Sequence, residues 1–231
     1  SELSNKGNRE VALIVQSDGA YALLADMFVR DAPHLVHLPF IPSGYRGTAN
    51  HMLISEVLYD SYGQDDAEFI ELVNPTSAVI DISGYGLGDA VNREDFEDFR
   101  RFPPETFVAA GDVLLVVTSA DSFWNDYGFW PDFEILETNS AVPNLIDDLT
   151  WGDPATFLRL GNSGDEVILR DNKDVVVDLV TYGASEFLDQ IACPLLIGTN
   201  HSLERYPYWQ DSDNCVEDFR DWPFPSPGKR P

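Results

Sequence analysis

Residues 165–182 read Asp165-Glu166-Val167-Ile168-Leu169-Arg170-Asp171-Asn172-Lys173-Asp174-Val175-Val176-Val177-Asp178-Leu179-Val180-Thr181-Tyr182. Two runs rich in β-branched residues flank Asp171-Asn172-Lys173-Asp174, a tetrad of turn type, and the stretch predicts a β-hairpin. The same texture extends outward. Apolar runs at 52–59, 67–74, 77–87, 105–108, 112–118, 156–160 and 201–206 join 165–170 and 175–182 as candidate strands. Their separators include Asn74-Pro75, Ala110-Gly111-Asp112 and Asn162-Ser163-Gly164-Asp165, all turn-formers. No long helical segment lies between the strands, which argues against a parallel βαβ sheet. Many short strands and few helices predict an all-β sandwich or barrel.

The charge balance narrows the partners. The 231 residues carry 40 acidic and 14 basic side chains, a formal net charge of -26. Nucleic-acid binding rests on cations that displace counterions, so this chain alone is not expected to bind nucleic acid. An anionic bilayer surface repels it too, and no apolar run reaches membrane-spanning length. Three lysines among so many aspartates fit a salt-adapted source, archaeal or halophilic. No secretory signal is visible; any signal peptide would lie upstream.

The first fifty residues differ in texture. Residues 10–16 form a short apolar run, and residues 18–31 carry Tyr21, Leu24, Met27 and Phe28 at helical spacing. Pro33 ends that helix, and residues 33–50, with Pro39, Pro42, Gly44 and Gly47, read as a linker. A second interruption, at about 119–155, holds Phe123, Trp124, Tyr127, Phe129, Trp130, Phe133 and Trp151. Loops this long are functional or carry structure of their own.

In order from residue 52 come Leu53-Ile54-Ser55-Glu56-Val57, Glu68-Phe69-Ile70-Glu71-Leu72-Val73-Asn74, Ile82-Ser83-Gly84-Tyr85-Gly86-Leu87-Gly88-Asp89 and Ala110-Gly111-Asp112. Leu160-Gly161-Asn162-Ser163-Gly164-Asp165, Asp178-Leu179-Val180-Thr181-Tyr182-Gly183, Ser202-Leu203-Glu204-Arg205 and Pro225-Ser226-Pro227-Gly228 follow. Together they resemble the lamin tail domain family in its prokaryotic form. The resemblance implies an immunoglobulin-like β-sandwich without catalytic residues, an appendage of secreted or surface enzymes such as nucleases and phosphatases. Ser4-Asn5-Lys6-Gly7-Asn8-Arg9-Glu10, with the strand and helix after it, is similar to the end of the second catalytic repeat of the phospholipase D superfamily. That family's active-site His and Lys would precede Ser1. The expected organisation is therefore a phospholipase D-like remnant at 1–32, a linker at 33–50, and a lamin-tail-type sandwich at 51–231 with its insertion at about 119–155.

Several side chains invite a role. Glu56 and Glu71 stand in apolar strands, where a carboxylate needs a partner, and Arg205 can bridge two carboxylates. The expectation is a structural ion pair, not a catalytic pair. Asp60, Asp65, Asp66 and Glu68, and Asp211, Ser212, Asp213 and Asn214, offer calcium ligands without EF-hand spacing. In a chain with 40 acids such clusters arise without an ion, so no cofactor is expected, with calcium the alternative. His34, His37, His51 and His201 show no zinc spacing and read as solvent-facing or incidental. Cys193 and Cys215 permit one disulfide, expected if the domain is exported. Phe123, Trp124, Tyr127 and Trp130 read either as a partner surface or as a satellite cluster capping the sandwich.

The leading functional expectation is an accessory module that tethers an upstream phosphodiesterase of the same polypeptide to an envelope protein or a glycan, outside the cell or on its surface. The alternatives are a domain that stabilises that enzyme, and a metal-dependent phosphodiesterase in its own right. The apolar residues Val11, Leu13, Val15, Leu24, Met27 and Phe28 must also be covered, by the sandwich or across a dimer contact formed by an unpaired strand.

Overall fold

The structure, a computed structural model, describes residues 48–63, 66–153, 155–187 and 190–229. The strand expected at 10–16, the helix at 18–31 and the packing or dimer contact of Val11, Leu13, Val15, Leu24, Met27 and Phe28 lie outside them.

The strands are β1 (Leu53–Leu58), β2 (Phe69–Val73), β3 (Ile80–Asp81), β4 (Gly86–Gly88), β5 (Phe99–Arg101), β6 (Phe107–Val108) and β7 (Val113–Val117). After helix α1 (Ala120–Tyr127) come β8 (Phe133–Glu134), β9 (Ile146–Asp147), β10 (Gly164–Arg170), β11 (Val176–Gly183) and β12 (Ser202–Arg205). A single-turn helix, α2 (Cys215–Asp218), leads into β13 (Phe219–Trp222). A six-stranded sheet runs β13-β12-β1-β2-β7-β8, a five-stranded sheet runs β11-β10-β4-β5-β9, and β3 pairs with β6. Pairing is antiparallel throughout except between β7 and β8.

Period-two alternation builds the core between the sheets. Val57, Ile70, Leu72, Val116 and Leu203 of the first sheet meet Leu87, Val167, Leu169, Val180 and Tyr182 of the second in one buried cluster. The fold is an immunoglobulin-like β-sandwich. The six-stranded sheet is covered on its other face as well, where Leu58, Phe69, Leu115 and Val117 pack with Ala120 and Phe123 of α1. All six residues of β1 are therefore buried.

The β10–β11 hairpin forms as its sequence predicts. The Asp171 carboxylate accepts from the Lys173 and Val175 amides, and Asp174 takes the left-handed conformation at φ 64°. Two strand expectations change. Residues 77–87 divide into β3 and β4 around Gly84, at φ 74°. Residues 156–160 form no strand, because carboxylates replace the ladder: the Leu158 amide donates to Asp98 and the Arg159 amide to Asp89. The interruption at 119–155 carries α1, β8 and β9.

Candidate partner surface and buried carboxylates

The aromatic insertion divides by exposure. Ser119 caps α1, its hydroxyl accepting from the Ser122 amide at 3.2 Å, and Gly128 closes the helix at φ 76° with its N–H on the Trp124 carbonyl. Phe123 is fully buried against Phe69, and Tyr127 packs beside it. These two residues form the satellite cluster. Trp124, the next residue around the helix from Phe123, stacks on Trp130 with ring centroids 4.4 Å apart and planes 22° from parallel. The two indoles keep 40% and 45% of their surface exposed. The platform is braced from below by Glu134 of β8. Its buried carboxylate accepts from the amides of Ala120, Thr138 and Asn139, joining the start of α1 to the following loop.

The expected Glu56–Glu71–Arg205 ion pair is not formed, and strand parity is the reason. Glu56 lies opposite Glu204, and Val57 opposite Leu203, across β1 and β12. Arg205 therefore shares the inner face with Leu203, while Glu56, Glu71 and Glu204 line the outer face. Arg205, 1% exposed, reaches across the sandwich to Asp178 of β11, with its Nη2 at 2.7 and 3.0 Å from the two carboxylate oxygens. It also donates to the carbonyls of Ile54 and Gln210, and its guanidinium lies 4.5 Å from the Phe219 ring centroid. Asp211 and Asp218 stand at 3.6 and 3.5 Å. His51, expected to be incidental, joins this cluster through Asp211 at 3.4 Å, which raises its pKa. His201 likewise contacts Asp221 at 2.5 Å.

Glu56 and Glu71 hold the C-terminal strap instead. The Ser226 amide donates to Glu56 at 3.0 Å and the Gly228 amide to Glu71 at 2.7 Å. The hydroxyls of Ser202 and Ser55 complete the two carboxylates. Burial pushes Glu56 up to about 7 and Glu71 up to about 8. Of the other sequence candidates, Asp60 accepts from the Thr199 hydroxyl and Asp66 lies 3.7 Å from Arg159. Asp211 accepts from the Asp213 amide, and Asp65 lies outside the described residues. Cys193 and Cys215 are joined in a disulfide that ties the segment after β11 to α2, across 22 residues. Replacing both cysteines with alanine is expected to lower stability by about 3 kcal/mol in the chain-entropy account. The drop would be read from the urea midpoint, and a loss below about 1 kcal/mol would show that the bond constrains little.

A sandwich with this strand order and these turns invites comparison with known families. The lamin tail domain model matches residues 46–184. The chain belongs to the lamin tail domain family. The match ends before β12, α2 and β13, and β12 and β13 complete the six-stranded sheet from beyond the matched region. A DUF4876 family protein from Bacteroides thetaiotaomicron VPI-5482 shares the fold, with a TM-score of 0.60 and 13% identity over 79% of this chain and 74% of that one. No curated protein matches the chain. Among the described residues no helix is long and apolar enough to cross a membrane.

Proposed function

We propose that this lamin tail domain is a non-catalytic accessory module that binds a partner through the Trp124–Trp130 platform and so positions an enzyme of the same polypeptide. The observation that carries this reading is the pair of stacked, half-exposed indoles beside a helix that Phe123 anchors in the protein. Rigid Trp side chains concentrate binding energy at interfaces. The buried carboxylates have structural employment: Glu56 and Glu71 hold the strap, and Asp178 holds Arg205. Asp121 lies one turn before Trp124 on α1, so an anionic partner is disfavoured, and an envelope protein or a glycan ring suits the surface better.

The positioned enzyme, in this reading, is a phospholipase D-like phosphodiesterase or nuclease, on the resemblance of residues 4–10. The Cys193–Cys215 bond supports an oxidising compartment, outside the cell or on its surface. The test is co-sedimentation of the purified domain with isolated cell envelopes and with insoluble polysaccharide. Trp124→Ala/Trp130→Ala is expected to weaken retention at least about tenfold, the effect of losing two interfacial anchors. The melting temperature should hold, because both rings are half-exposed. Unchanged retention of the double variant would remove the platform from the binding reading.

A further inference from the structure

Away from the aromatic platform, one end of the five-stranded sheet gathers negative charge. Glu97 precedes β5, and Asp165 and Glu166 open β10. One carboxylate oxygen from each lies within 4.8 Å of the other two. Asp165 takes the amides of Gly161 and Glu166, and Glu166 takes the Ser185 hydroxyl and the Glu186 amide. These bonds leave lone pairs free on both groups. No ion pair among the described residues neutralises the three. The charges acting most strongly on Glu97 are Asp165, Asp95, Glu166 and Glu186, all of its own sign.

A second observation is independent of the acids. Register sets Tyr182 opposite Asp165 on one face of the sheet and Thr181 opposite Glu166 on the other. Tyr182 is 0% exposed and Thr181 1% exposed, yet neither hydroxyl oxygen has a hydrogen-bond partner. Among charged groups, Asp165 acts most strongly on the Tyr182 phenol. The Oε2 atom of Glu97 is a third buried oxygen without a partner. Buried polar atoms are rarely left unpaired, and three orphan oxygens bordering three carboxylates require an explanation.

We propose that Glu97, Asp165 and Glu166 form a site for a hard divalent cation, with the Tyr182 hydroxyl approaching it or its bound water from the Asp165 side. Calcium is the cation the geometry fits. Ligand oxygens at about 2.3–2.6 Å from calcium lie at most about 5 Å apart across the ion. Magnesium demands a tighter, near-ideal octahedron, which oxygens fixed by two strands and a loop do not readily supply. Glu97 is half-exposed and gives the ion a route from solvent. Bound there, calcium would tie the loop before β5 to the start of β10 and so stiffen this end of the sandwich.

The probe is calcium itself, added to protein first stripped with EDTA, at fixed ionic strength. Calorimetric titration should show one site, and the melting temperature should rise by several degrees in millimolar calcium. Magnesium at equal concentration should raise it less. Glu97→Gln keeps the shape of a half-exposed side chain and should weaken calcium binding at least tenfold. Glu217→Gln, an exposed change of equal charge on α2, should leave it unaltered. Terbium gives a second readout: its emission, sensitised by neighbouring aromatic rings, should appear in the wild type, fall on adding calcium and vanish in Glu97→Gln. A melting temperature indifferent to calcium would overturn the proposal, as would calcium binding equal in the two variants.

Discussion

Arg205→Ala is expected to destabilise the domain by on the order of 3–5 kcal/mol, enough to unfold a marginal protein. Removing the guanidinium strips Asp178 of its ion-pair partner while Asp178 stays inside the sandwich, with Asp211 and Asp218 nearby. Burial already pushes the Asp178 carboxyl up, and Arg205 is the main force drawing it back. The substitution also empties the contact with Phe219 and removes the donors to the Ile54 and Gln210 carbonyls. Arg205→Lys should fare little better, since an ammonium cannot reproduce the planar fork that holds Asp178 through Nη2 and the Ile54 and Gln210 carbonyls through Nε and Nη1. Arg205→Met/Asp178→Leu should recover much of the loss, because replacing both members removes the uncompensated charge. Urea titration of the three variants decides the matter. A loss below about 1 kcal/mol for Arg205→Ala would mean that the pair contributes no more than a surface ion pair.

Lowering the pH from 8 to 5 is expected to stabilise the domain. Glu56 and Glu71 titrate near 7 and 8 in the folded state against an ordinary 4.5, with burial the main cause and Glu204 adding to it. The folded protein therefore holds these protons more tightly than the unfolded chain. Their stabilisation is complete below about 4.5 and is lost as pH rises through 7 to 8. Glu71 alone should account for roughly 3–5 kcal/mol over that window. Asp89, at about 9, Glu97, at about 7, and Asp165, at about 6, act in the same direction. Glu71→Gln should flatten the profile and exceed the wild type in stability at pH 8. Its amide can hold the Gly228 N–H through the carbonyl while donating to the Ser55 hydroxyl. Urea midpoints at four pH values, with EDTA present, test this; a midpoint that climbs with pH would contradict it.

The sandwich was legible wherever a strand was long enough to alternate. β1, β2, β7, β10 and β11 run five to eight residues and are rich in branched or aromatic apolar side chains. β5, β8, β9 and β13 did not stand out. They run two to four residues, and Phe99-Arg100-Arg101 and Phe219-Arg220-Asp221-Trp222 carry charges that only their neighbours make tolerable in a sheet. Arg100 sits buried because Asp98 lies 2.5 Å away. The partner of Arg205 was half legible. Parity along Leu203-Glu204-Arg205 already separates the arginine from Glu204 and sets it on the core side. Asp178, however, belongs to the other sheet, and no spacing in the chain announces a contact across 27 residues and a sandwich interior.

By itself, then, the sequence determined the class of fold, the hairpin at 171–174 and the family. These follow from local propensity, alternation and turn chemistry, none of which needs long-range geometry. Tertiary structure alone decided which carboxylates meet which cation and which indoles reach solvent. It also decided that the strap lies on Glu56 and Glu71, and that Glu97 meets Asp165 and Glu166 from 68 positions away. Those outcomes depend on register and on the stacking of two sheets. A shift of one residue along a strand moves every side chain to the opposite face.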